Sequence, residues 1–131
     1  MLYNPDMYII GKIVKADVER RQIFGWAWTS EVDGELVVDS HGDTIEPATL
    51  EKAVYNFVIE SRVGKEMHSG GSKSRMIESI VFTKEKQAAL GIDIGKVAWW
   101  VGFQVDDAEV WQKIKDGEYN DFSIGGTAVR A

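Results

Sequence analysis

Two histidines, and one serine set beside paired glycines, hold most of the chemical potential of this sequence. They are His41, His68 and Ser123, the last in the run Phe122-Ser123-Ile124-Gly125-Gly126. Imidazole exchanges a proton near neutral pH, which makes histidine the usual general base. A serine hydroxyl is a poor nucleophile until a base takes its proton. His68 is predicted to lie at the end of a short strand, against the glycine-rich loop Gly70–Ser74, where a substrate has room. The glycines after Ser123 open the backbone to a substrate, and their amides can donate to a developing oxyanion. A β-bulge with Ser123 filling a small site would use the same residue types.

Glu78 is the third residue of interest. A strand over Arg75–Phe82 places it on the face of Met76, Ile80 and Phe82, where a carboxylate is costly to bury without a partner. It follows His68 by ten residues across a loop, so the two could sit on hairpin strands, with Glu78 orienting the imidazole as the acid of a Ser-His-acid triad does. Equally, this face could be open to solvent, or Glu78 could pair with a Lys or Arg. Asp93 and Asp121 are lesser acids. His41 lies in the polar turn Asp39-Ser40-His41-Gly42-Asp43, whose aspartates suit turn bracing or capping of the next helix. One histidine and two carboxylates in one turn fall short of a closed metal site.

These residues need a scaffold. Strands are expected over Met7–Val18, Gln22–Ser30, Glu35–Asp39, Glu66–Ser69, Arg75–Phe82, Lys96–Val105 and Phe122–Val129, the last interrupted by Gly125-Gly126. Alternation in Gln22–Ser30 puts Phe24, Trp26 and Trp28 on one face and Ile23, Gly25, Ala27 and Thr29 on the other. A helix is expected from Pro47, a residue favoured in a first turn, to Arg62, with Leu50, Ala53, Val54, Phe57 and Val58 at helical spacing. A short helix is expected over Thr83–Leu90, closed by Gly91. Another is expected over Asp106–Lys115, opened by a capping box of Asp106 and Glu109. Strands and helices do not alternate regularly, which argues against a doubly wound parallel sheet. The expected fold is α+β, a mostly antiparallel sheet or small barrel of about seven short strands with two or three flanking helices.

The 131 residues suit one domain with one core. Hydrophobic residues make up 44% and charged residues 27%, ordinary for a folded chain. The net charge of −6 and the lack of a basic patch argue against nucleic-acid binding. The absence of cysteine excludes disulfides, thiol catalysis and thiolate zinc sites. Asn4, Pro5 and Asp6 do not fit a signal peptide. No apolar run approaches the roughly 20 residues of a membrane span, so a cytosolic setting is expected.

Several runs in order resemble the phage prohead, or capsid maturation, serine proteases, particularly the branch in Bacillus-type prophages. They are Val38–Ile45, Leu50–Val54, Met67-His68, Ile77-Glu78-Ser79, Trp99–Phe103 and Phe122–Gly126. The resemblance extends from about Lys15 to about Arg130. It implies kinship to herpesvirus assemblin, a β-barrel protease surrounded by helices. It also implies cleavage of scaffold or capsid-precursor segments inside an immature capsid in the bacterial cytoplasm, with autoprocessing, no cofactor, and room for a homodimer. The family order of His before Ser matches His68 as general base and Ser123 as nucleophile. The oxyanion donors would be Gly125, Gly126 or the amide of Arg130. In the herpesvirus relatives a third residue follows the serine by tens of positions. Here Ala131 is the last residue, so the third member is Glu78, another upstream acid, or a residue beyond a single protease domain over 1–131. The alternative from another class is a non-catalytic capsid-assembly module that keeps the protease fold.

Overall fold

The computed structural model describes residues 9–38, 42–62, 74–118, 121–124 and 128–129. An antiparallel sheet forms its frame, with strands β1 (Ile9–Asp17), β2 (Gln22–Val32), β3 (Glu35–Leu36), β4 (Ser74–Phe82), β5 (Lys96–Val105), β6 (Asp121–Ile124) and β7 (Ala128–Val129). The order across it is β4-β5-β2-β1-β6-β7, with β3 added to β2. Five strands of four or more residues make its body, and β3 and β7 are two-residue pairings. The sheet is open: among the described residues β4 and β7 are its two ends. The barrel form expected above is therefore corrected to an open antiparallel sheet. The expected strand over Glu66–Ser69 lies outside the described residues.

Local chemistry accounts for the connections. β1 turns into β2 through Arg20 and Arg21, with the Asp17 carboxylate accepting from the Arg20 amide at 3.0 Å. The β2–β3 hairpin turns on Asp33 and Gly34, both at positive φ (52° and 86°). Asp-Gly is the pair that a tight hairpin turn of this hand favours.

Among the described residues three helices, α1 (Pro47–Arg62), α2 (Lys84–Leu90) and α3 (Ala108–Lys115), accompany the sheet. α1 buries Leu50, Val54 and Phe57 against one face of the sheet, where Ile23, Ala27, Val81, Trp99, Val101, Phe103 and Val105 meet them. Trp111 and Ile114 of α3 join the same core. Trp99 is 1% exposed. Its indole N–H donates to Ser79 Oγ at 2.9 Å, so its burial leaves no unpaired donor.

α2 is held by buried Gln87. The amide nitrogen donates to the carbonyls of Phe82 (2.9 Å) and Lys96 (2.8 Å), and its oxygen accepts from the Ile94 amide (2.9 Å). One side chain thus ties the end of β4, the start of β5 and the loop between them. Thr83 caps α2 through the Lys86 amide, and Gly91 closes it at φ 71°. For α3 the expected capping box is corrected. The N-cap is Asp107, which accepts from the Val110 amide at 2.9 Å. Asp106 instead receives a two-pronged hydrogen bond from Arg75 at 2.8 and 2.9 Å, which joins α3's approach to the start of β4.

Two irregularities reassign the faces of strands. The β2–β5 register shifts between Trp26 and Trp28, so that Trp26 pairs with Trp100 but Trp28 pairs with Trp99. Trp28 therefore packs against the core, while Phe24 and Trp26 stay on the outer face. Strict alternation would group the three. The β4–β5 register shifts between Met76 and Glu78 in the same way. Met76 joins the core, and Glu78 shares the outer face with Ile80 and Phe82 only.

Candidate active site

Ser123 lies in β6, where its backbone pairs with Ile10 of β1. Asp121, two residues earlier, pairs with Lys12 of β1 and with Val129 of β7. His68, Gly125, Gly126 and Arg130 lie outside the described residues, as do Asp39 and His41 of the polar turn. His68 falls six positions before the first residue of β4, a tether of at most roughly 20 Å in extended chain.

Glu78 is placed in full. It stands on the exposed face of β4 opposite Gly102, and its Oε1 accepts from the indole N–H of Trp100 at 3.1 Å. Among the described residues no cation pairs with it. A continuous cross-strand row, Asp121–Lys12–Trp26–Trp100–Ile80, relates it to Ser123. Strands β6, β2 and β4 run in the same direction. Ser123 lies two residues beyond that row and Glu78 two residues before it. Three strands, β1, β2 and β5, lie between them, which is roughly 19 Å measured across the strands. A direct role for Glu78 behind the base of Ser123 therefore requires the sheet to curl or His68 to span it.

The other acids have local duties. The Asp93 side chain accepts from the Gly95 amide at 2.9 Å and braces the turn into β5. Among the described residues no three His, Asp or Glu side chains are grouped to hold a metal ion. No helix among them is long and apolar enough to cross a membrane.

Sequence reading missed the aromatic cluster around Glu78. Trp26 packs edge-on to Trp100 (5.0 Å between centroids) and to Phe82 (6.0 Å), and Phe24 stacks on Trp100 at 6.3 Å. Lys96 Nζ sits 4.0 Å from the centre of the Trp26 ring. Alternation signalled Phe24 and Trp26, but their partners on β4 and β5 depend on register, which a single sequence does not display.

The family model described as "Putative phage serine protease XkdF" matches residues 10–131. The chain is 29% identical over 127 residues to "Uncharacterized protein YqbD" of Bacillus subtilis (strain 168), covering 96% of this chain and 36% of that protein. It is 30% identical over 111 residues to "Phage-like element PBSX protein XkdF" of the same organism, covering 84% of this chain and 38% of that protein. The chain thus spans little more than a third of the length of these curated relatives. No solved structure gives a significant match. A match running from β1 through β7 covers all but the first residue of the described sheet and all three described helices, and the chain belongs to this family of phage XkdF proteins.

Proposed function

We propose that this chain is a serine endopeptidase domain that cleaves scaffold or capsid-precursor segments within an immature phage capsid. The observation that carries the reading is the family match over residues 10–131, which includes both His68 and Ser123. Ser123 Oγ attacks the scissile carbonyl carbon while His68 takes the hydroxyl proton. The amides of Gly125 and Gly126 receive the tetrahedral oxyanion. His68 then passes the proton to the leaving amine, and the C–N bond breaks. Water, deprotonated by the same imidazole, releases the acyl group from Ser123. The chemistry needs no cofactor. Glu78, in the aromatic cluster across the sheet, stands outside the reacting pair in this reading.

The test is cleavage of the phage's own scaffold and capsid precursors by the purified chain, with Ser123→Ala and His68→Ala as controls. Activity lost in both variants supports the proposal, and cleavage unchanged by Ser123→Ala overturns it. The second reading is a non-catalytic assembly module of the same fold. It is favoured by the position of Glu78, the acid expected behind His68, which three strands separate from Ser123. This reading expects no cleavage and no labelling of Ser123 by a fluorophosphonate.

A further inference from the structure

The outer face of the sheet bears a groove that the Ser123 chemistry does not use. Trp26, Ile80, Phe82, Ile92 and Trp100 line it, with Glu78 at its side, and its volume is about 560 Å³. Ile80 and Ile92 are 43% and 42% exposed, a contiguous apolar surface beside large rings. Among the described residues Glu78 is the carboxylate of the lining, and it uses Oε1 for the Trp100 indole. Its Oε2 accepts no hydrogen bond among the described residues. Aromatic faces beside an ionised carboxylate form a seat for a cation, since ring quadrupole and carboxylate attract it together. The Lys96 ammonium already covers the Trp26 ring, so the seat left for a further cation is the open carboxylate oxygen of Glu78 beside Trp100. The net charge of −6 further favours encounter with a basic partner.

We propose that this groove docks an extended protein segment through an arginine or lysine flanked by apolar side chains. The cation pairs with Glu78 Oε2 beside the indole of Trp100, and the flanking residues cover Ile80, Phe82 and Ile92. Docking is separate from catalysis and does not require Ser123.

The full chain bearing Ser123→Ala would be titrated with two short peptides of identical apolar flanks, one with a central Arg and one with a central Glu. Calorimetry and tryptophan emission would follow binding. The Arg peptide is expected to bind at least about tenfold more tightly, with a preference that weakens as salt rises. Glu78→Gln is expected to remove most of that preference while circular dichroism and thermal unfolding stay unchanged. Trp100→Phe, which keeps a ring but loses the indole donor, is expected to retain part of it. Equal affinity for the two peptides, absence of binding by a folded chain, or a preference untouched by Glu78→Gln each overturns the proposal. Self-association that Glu78→Gln weakens, seen by sedimentation without peptide binding, overturns it in favour of a second copy of the chain. Because Ser123 is already replaced, loss of binding reports on the groove and not on the protease reading.

Discussion

The ring of Phe24 lies directly over the α-carbon of Gly102: a β-carbon added there would stand 2.7 Å from two ring carbons, and 3.2 Å from Glu78 Cβ. Glycine at this point in β5 lets Phe24 lie flat over the strand and stack on Trp100. Gly102→Ala is therefore expected to displace the ring and cost about 1–3 kcal/mol of stability through overpacking. Thermal unfolding measures it. In a double-mutant cycle with Phe24→Ala, the penalty of the added methyl should shrink, since the atoms it strikes are gone.

Gln87 is expected to be the costliest polar residue of the fold to replace. Gln87→Leu would leave the Phe82 and Lys96 carbonyls and the Ile94 amide without their partner. Stranding buried polar groups costs about 1–3 kcal/mol each, less what water recovers at this partly buried site. Chemical denaturation should show a loss of about 2–4 kcal/mol, and amide exchange should accelerate first at Ile94. A loss within error of zero would mean that water replaces the side chain.

The two aspartates before α3 make a paired comparison. Asp107→Ala removes the hydrogen bond to the Val110 amide and should cost about 1 kcal/mol. Asp106→Ala removes an ion pair whose Arg75 side chain is 68% exposed, and should cost less than Asp107→Ala because solvent screens the pair. Urea midpoints of the two variants should fall in that order.

Lys86, Glu51 and Tyr55 join α2 to α1. Lys86 Nζ lies 2.8 Å from Glu51 Oε2, to which the Tyr55 hydroxyl also donates at 3.0 Å. The Lys86 hydrogen bond, more than burial opposes it, holds the Glu51 carboxyl below its ordinary 4.5. A carboxyl depressed in the folded state adds stability that is present above its unfolded pKa and lost as pH falls through the folded one. Thermal stability should therefore fall on acidification below about pH 4.5, and Glu51→Gln should flatten that part of the profile. At neutral pH the same variant should lose about 0.5–1 kcal/mol, as befits a partly exposed pair.

Much of this fold can be read from sequence, for identifiable reasons. α1 was legible with its bounds because Pro47 marks its first turn and Leu50, Val54 and Phe57 repeat at its period. β5 was legible because residues 97–103 form an unbroken apolar run, which suits a strand largely covered on both faces. The faces of Trp28 and Met76 were not, because a register shift exchanges inside for outside and leaves no mark on composition. The choice of Asp107 over Asp106 as cap was also hidden, since both residues have the right chemistry and only Arg75, thirty-one positions before Asp106, separates them. Of the candidate site, Ser123 was rightly expected on a strand. The surroundings of Glu78 depend on three strands coming together and could not be read from its neighbours.

Glu78 and Ser123 give the sharpest contrast. If the reacting pair is His68 and Ser123 alone, Ser123→Ala should lower kcat/KM for scaffold cleavage by several orders of magnitude, to the level left by binding and the oxyanion donors. Glu78→Gln should leave kcat within a few-fold, because its carboxylate is engaged by Trp100 on the far side of three strands. A triad acid behaves otherwise: replacing it by its amide costs about 10⁴ in kcat by fixing the wrong imidazole tautomer. Such a drop in Glu78→Gln would place His68 between Glu78 and Ser123 and require the sheet to curl until β4 and β6 approach. A change confined to KM would instead assign Glu78 to docking of the cleaved segment. Side-by-side steady-state kinetics of the two variants on one scaffold substrate separate these outcomes.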